Sequence, residues 1–342
     1  MSDRRLWHNR AFRRLALTLL WLAVADRFVD QALTFLEHQR YERGRVFRFE
    51  NSDLFGLGPL VEYLRQHPTG ERPRTLFFGN SVVWGYGLAP DVAAPAQLQG
   101  LEPETKVFNV AINGFEAGSS YLIARAVIDS VDRVYVLLKG DAADPMLPSL
   151  IPIEPEDLRS FNLPRPDRVE QRLERSLGWW HLYRSSYRLQ AALFGSSTRQ
   201  YIYLHKGELA RSAIARVKAA SLQETASNVE IELSSPMAAG DVSPDVMRTL
   251  QHRYGLVWRL GSLARDHAKR AVLLHIDGYS PQMSDDDIAA FNRVFAPRAE
   301  TVVLRIPSPL TFDGLHLTSD GSRALSEVLL RHERAARGGR QP

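Results

Sequence analysis

No cysteine occurs among the 342 residues, which rules out disulfides, thiolate nucleophiles and cysteine-ligated zinc or iron-sulfur centres. A phosphate-cradling loop is also missing, because Gly85-Tyr86-Gly87 lacks the later glycine and the acidic partner of a dinucleotide fingerprint. Asp141 and Asp144 have no His or carboxylate cluster at ligand spacing beside them, so neither a metal nor a cofactor is expected. No internal repeat or low-complexity tract interrupts the chain. Net charge is nearly absent from the body of the protein: residues 1–45 hold nine Arg against five Asp and Glu, a surplus of four that equals the +4 of the whole chain. A near-neutral remainder argues against a nucleic-acid partner, which needs a basic face on the folded domain to neutralise phosphates.

What is present is the composition of a folded protein. Hydrophobic residues make up 44% and charged residues 24%, with 15 Phe, 11 Tyr and 6 Trp; that aromatic content argues against wholesale disorder. A chain of this length fits one main domain with attachments.

The N-terminus has the layout of an address. Arg4, Arg5, Arg10, Arg13 and Arg14 precede eleven uncharged residues, Leu15 to Ala25, and a basic flank before an apolar stretch is retained on the cytoplasmic side while the stretch enters the membrane. Ala23-Val24-Ala25 fits a signal-peptide cleavage site, whereas an uncleaved anchor would continue through Phe28, Val29 and Leu33. Eleven residues fall short of the roughly 20 that a spanning helix needs, and Asp26, Arg27 and Asp30 interrupt the run. An amphipathic helix on the domain or on a membrane surface is the competing reading. We expect residues 1–45 to be an anchor or signal segment at an inner membrane, with residues 46–342 folded on the extracytoplasmic, periplasmic side.

From residue 75 onward, short apolar runs alternate with helix-like stretches, the pattern of a parallel sheet covered on both faces. Strands are expected at Thr75 to Phe78, Val107 to Ala111, Val134 to Leu138, Ala271 to Ile276 and Thr301 to Ile306, and helices around 116–130, 245–269, 284–295 and 319–337. This is a doubly wound α/β domain, a flavodoxin-like three-layer sandwich on a five-stranded parallel sheet. Residues 145–244 break the rhythm, opening with Pro145, Pro148, Pro152 and Pro155 and continuing as a helical, Arg-rich and aromatic segment. We read it as an insertion between the third and fourth strands. Trp179, Trp180, Tyr183 and Tyr187 in it either pack it on the domain or offer a face to a membrane or a membrane-complex partner.

Two loops carry the chemistry. Phe78-Gly79-Asn80-Ser81 closes the first strand and puts a serine at the carboxyl edge of the sheet, where open α/β folds hold their ligands; a helix starting there would favour developing negative charge. Near the C-terminus, Asp313 and His316 lie three apart on one loop, a spacing that lets the carboxylate meet Nδ1 and leaves Nε2 free to accept a proton from serine. Each loop alone is also an ordinary turn. His275, at the end of the fourth strand, shares the serine's sheet edge and is a weak candidate for substrate contact. Asp285, Asp286 and Asp287 read as a helix N-terminus.

Together these blocks resemble the SGNH/GDSL hydrolases. FFGNSVVWGYGL looks like that family's nucleophile block, VFNVAINGFEAG its second block and FDGLHLTSDG its Asp-x-x-His block, in the right order over residues 73–144 and 268–337. The resemblance implies Ser81 as nucleophile, Asp313 and His316 as its partners, and backbone N–H groups of Ser81 and Gly114 as oxyanion donors. It also implies an esterase or O-acyltransferase, with membrane-anchored polysaccharide O-acetyltransferases among the divergent relatives. Two departures stand out. Asn80 replaces the usual Asp, which is not a triad member, and Ala142 stands where the family has an Asn that donates to the oxyanion. Losing one such donor costs about 10²- to 10³-fold in rate, a loss that Asn113 or the insertion could offset. The competing expectation is an inactive SGNH-like scaffold serving as an accessory subunit of a membrane complex.

Overall fold

The computed structural model describes residues 10–42, 47–48, 57–67, 72–89, 91–111, 119–138, 176, 180–184, 189, 231–234, 243–276 and 285–338. Its strands are β1 (Phe47–Arg48), β2 (Arg74–Phe78), β3 (Lys106–Asn109), β4 (Arg133–Leu138), β5 (Glu232–Ser234), β6 (Arg270–Ile276) and β7 (Glu300–Arg305). Its helices are α1 (Arg10–Glu42), α2 (Leu57–Gln66), α3 (Ser81–Trp84), α4 (Ala94–Leu101), α5 (Ser119–Val127), α6 (His181–Arg184), α7 (Pro244–Arg253), α8 (Gly255–Asp266), α9 (Asp285–Phe295) and α10 (Ser319–Gly338).

All strands join one sheet in the order β1-β3-β2-β4-β6-β7-β5. The five expected strands form its parallel core, in the doubly wound order. The central three, β2, β4 and β6, are buried almost throughout, because a parallel sheet has helices on both faces and its strands need apolar side chains on each. Two short edge strands extend the expected sheet: β1 pairs parallel to β3, and β5 runs antiparallel to β7.

Side-chain alternation divides the core in two. Leu76, Phe78, Val134, Val136 and Leu273 meet α2, α5, α8 and α9 on one face. Phe77, Tyr135, Leu137, Val272 and Leu274 meet α3, α4 and α10 on the other. The helix expected around 245–269 is realised as α7 and α8, which meet at Tyr254, 2% exposed, with the Tyr254 and Trp258 N–H groups bonded to the Leu250 and Tyr254 carbonyls at 2.9 Å each. The Tyr254 ring lies edge-on to Phe291 and Phe295 of α9. At the amino ends of the strands, Arg133 pairs with Glu102 at 3.2 Å and Glu333 at 2.5 Å, and Arg270 reaches Glu333 at 2.6 Å. Those buried charges are compensated, as burial requires, and they clamp the C-terminal half of α10 to the sheet.

The N-terminal segment is one helix of 33 residues, extending well past the apolar stretch. No described helix is long and apolar enough to cross a membrane. The distal part of α1 rests on the domain: Asp26 and Leu33 are buried, Asp26 Oδ1 accepts a hydrogen bond from the Leu182 N–H at 2.6 Å, and the His38 ring meets Tyr63 of α2. Most of the insertion, including Trp179 and Tyr187, lies outside the described residues; Trp180 is 43% exposed.

Candidate active site

Immediately after β2 the chain must turn back over β4, and Gly79 permits it. A Cβ at this position would stand 2.9 Å from Leu137 Cβ and 3.3 Å from Val83 Cβ, too close for any other residue without displacement of the elbow. Asn80 then caps the next turn, its side-chain oxygen accepting from the Val82 N–H at 3.2 Å. Ser81 opens α3, and Gly85, left-handed at φ 86°, closes it with its N–H on the Ser81 carbonyl. The helix expected to follow the serine is thus one four-residue turn, and one of its first N–H groups is already taken by Asn80. Its dipole supplies correspondingly little.

Asn109 at the end of β3 ties this elbow down. Only 1% exposed, it donates from Nδ2 to the Val83 carbonyl at 3.1 Å and accepts the Ala111 N–H at 3.2 Å. The nucleophile turn and the departure of the chain from β3 are therefore held by one amide.

The partner loop is built to present a carboxylate and an imidazole together. Thr311 and Leu317 bridge antiparallel, Phe312 N–H bonds to the His316 carbonyl at 2.9 Å, and Gly314 takes φ 84°. Asp313 Oδ1 accepts the backbone N–H groups of Leu315 and His316 at 3.0 and 2.7 Å, an Asx turn that orients its other oxygen. Below the loop, Thr318 caps α10 through the Gly321 N–H at 3.0 Å. A Cβ on Gly321 would fall 2.0 Å from the Leu310 carbonyl oxygen, so the loop sits directly on the start of α10.

His316 Nδ1 lies 2.6 Å from Asp313 Oδ2, and Nε2 lies 2.9 Å from Ser81 Oγ. With the Nδ1 proton donated to the carboxylate, Nε2 presents its lone pair to the serine hydroxyl, the arrangement that lets an imidazole take up a serine proton. Burial alone would raise the Asp313 pKa. The hydrogen bonds from the His316 ring and from the His316 and Leu315 backbones outweigh it and hold the carboxyl below its ordinary value, so it is ionised at neutral pH.

Two aromatic rings enclose this pair. Tyr86 lies 4.7 Å from the His316 ring and Phe312 stacks on it at 5.5 Å, with 17° between the planes. The imidazole side chain is left 14% exposed. Both rings lie inside the sequence blocks of the site, next to Gly85 and Asp313, yet neither they nor Asn109, which reads as a strand residue, carries a sequence signal of its place at the site.

Of the other expected site residues, Gly114, Asn113 and Ala142 lie outside the described residues. His275 is 8% exposed and in register with Leu138 and Val303. Its position in the alternation places it with Ala271 and Leu273 on the α8 and α9 face of the sheet, away from the face that carries α3. Among the described residues no group of His, Asp and Glu is arranged to hold a metal ion.

No protein family and no curated protein matches this chain. Among solved structures it is similar to a two-domain esterase (CEX) active on acetylated mannans, at 11% sequence identity and a TM-score of 0.36. The match covers 85% of this chain and 54% of that one, so this chain spans about half the length of the structure it resembles.

Proposed function

We propose that this protein is a serine esterase or O-acyltransferase acting on an extracytoplasmic carbohydrate or cell-envelope ester. The reading rests above all on the hydrogen-bond relay from Asp313 through His316 to Ser81 Oγ, with spacings of 2.6 and 2.9 Å.

In the first half-reaction, His316 Nε2 takes the Ser81 hydroxyl proton as Oγ bonds to the ester carbonyl carbon. The tetrahedral oxyanion collapses, the bond to the leaving alkoxide breaks, and His316 returns the proton to that oxygen. An acyl group is left on Ser81. In the second half-reaction, His316 deprotonates an incoming hydroxyl, which attacks the acyl carbon and releases Ser81. Water gives hydrolysis and a sugar hydroxyl gives transfer. Asp313 holds the productive tautomer and stabilises the imidazolium formed in each half. The extracytoplasmic assignment draws on the N-terminal arginines and on the apolar, exposed first half of α1.

Labelling of the full chain with a fluorophosphonate probe tests the reading. Wild type is expected to label and Ser81→Ala and His316→Ala are not; a folded wild type that fails to label, and fails to cleave an activated acetyl ester, would refute it.

A further inference from the structure

Among the described residues, ten of the thirteen exposed large hydrophobic ones lie on α1. They do not form a single patch. Leu17, Trp21, Val24, Phe28, Gln31 and Phe35 follow one another at spacings of four, three, four, three and four, the alternation that keeps a stripe facing a neighbouring helix. Every member is exposed: Leu17 55%, Trp21 70%, Val24 37%, Phe28 63% and Phe35 63%, with Gln31 also open to solvent. By helical phase the stripe is opposite to Asp26 and Leu33, the buried residues that dock α1 on its own domain. The next position in the series, His38, meets α2, so the stripe ends where the domain begins.

The geometry points to self-association: the Leu17 to Phe35 stripe of α1 is a parallel two-helix seam that joins two copies of this chain. Asp26, Arg27 and Asp30 end the uncharged run that could cross a membrane, while the stripe, on the side of α1 opposite Asp26 and Asp30, continues exposed to Phe35. Insertion of the uncharged run across a membrane would therefore leave Phe28 and Phe35 uncovered. The positions flanking the seam include Thr18, Ala25 and Ala32, small residues that allow close approach of a second helix. Trp21, Phe28 and Phe35, with Leu17 and Val24, offer about 400–600 Å² per copy, which reaches the lower edge of the roughly 600 Å² per partner at which specific interfaces begin. The expected dimer is a weak, reversible one, and Gln31 inside the seam sets its register.

Charge gives the arrangement a distinctive salt response. Arg14 and Arg10, both exposed, occupy the two positions that would extend the seam toward the N-terminus, so parallel copies bring like charges together there. Added salt screens that repulsion and tightens the dimer, whereas it loosens any attachment of the same arginines to anionic lipid.

Sedimentation velocity of the full chain over a concentration series provides the test, with melting temperature and far-ultraviolet circular dichroism as checks on folding. Neither depends on Ser81 being reactive, so this inference and the proposed function can fail separately. Wild type is expected to move from the 38.6 kDa chain toward twice that mass, more readily at high salt. The double variant Phe28→Glu/Phe35→Glu should raise the dimer dissociation constant at least about 100-fold, and Leu22→Glu, exposed on the opposite side of α1, should leave it unchanged. A monomeric wild type, or a double variant that dimerises like wild type, would overturn the seam. So would uptake by phosphatidylglycerol vesicles that depends on Phe28 and Phe35 and weakens with salt, which would assign the stripe to lipid.

Discussion

His316 Nε2 and Ser81 Oγ are 2.9 Å apart although 235 residues separate them in the chain. A hydrogen bond of that length between an imidazole and a hydroxyl is worth about 1 kcal/mol to folding, too little to assemble the loops. The elbow after β2 and the loop before α10 are positioned independently and meet. Removing either side chain should therefore spare the fold. Ser81→Ala and His316→Ala are each expected to lower kcat by at least about 10⁴-fold with melting temperatures within a few degrees of wild type, as read by ester hydrolysis and thermal denaturation.

Asp313→Asn separates orientation from charge. The Asn side-chain oxygen can still accept the Leu315 and His316 N–H groups that Asp313 Oδ1 accepts at 3.0 and 2.7 Å, so the loop keeps its shape. The amide, however, presents a donor to Nδ1 and favours the imidazole tautomer that carries its proton on Nε2. A fall of about 10³- to 10⁴-fold in kcat with little change in KM is the expected result, measured by steady-state kinetics. A variant retaining a tenth of wild-type activity would show that the carboxylate does not set the tautomer.

The core of the fold was legible because the buried strands are nearly all apolar: the expected β4, Val134 to Leu138, is the observed Arg133–Leu138 less one residue. The additions came where pattern is shortest. β1 has two residues and β5 three, too few for alternation to register, and both are defined by their neighbours' edges. The irregularity between α7 and α8 falls at Tyr254-Gly255, where a lone glycine inside a helical pattern is only a weak signal. At the site, the sequence offered two loops with the right side chains. That Tyr86 and Phe312 close over His316, or that Asn109 reaches the Val83 carbonyl, depends on how separate segments pack and has no local signature.

Gly79 is expected to be irreplaceable at the elbow. In Gly79→Ala the new methyl must displace Leu137 or Val83 from contacts of 2.9 and 3.3 Å, and both neighbours are buried. Overpacking of this kind costs about 1–3 kcal/mol, and relief by movement of α3 carries Ser81 away from His316. A lower denaturation midpoint together with a fluorophosphonate labelling rate down at least about 10-fold is expected. Loss of stability with full labelling would mean that the elbow shifts as a rigid unit.

Asn109→Ala strips both hydrogen bonds from a buried clasp. It leaves the Val83 carbonyl without the 3.1 Å donor it has in wild type, a loss that costs about 1–3 kcal/mol. Asn109→Asp keeps an acceptor for Ala111 but sets a carboxylate against that carbonyl, so it should not rescue. If Asn109 positions the nucleophile turn, both variants lower kcat more than they raise KM even well below their melting temperatures. Kinetics of the folded variants indistinguishable from wild type would confine the residue to a purely structural role.

The acid response should trace largely to the far pole of the sheet. Glu300 bonds to His332 at 2.6 Å and Arg270 at 2.5 Å; the His332 hydrogen bond leads, burial opposes it, and Arg270 adds to it, together lowering the carboxyl from 4.5 to about 2. A carboxyl whose pKa is depressed by folding binds protons more readily when unfolded. Its stabilising contribution is complete above about pH 4.5 and is lost as pH falls through about 2. Melting temperature should therefore decline across that window in wild type. Glu300→Gln should start lower at neutral pH and decline less, because the group that the unfolded chain protonates first is gone. Parallel curves for the two proteins would mean that the His332 and Arg270 contacts leave Glu300 near its ordinary pKa, and that acid sensitivity arises elsewhere, for instance at Asp313.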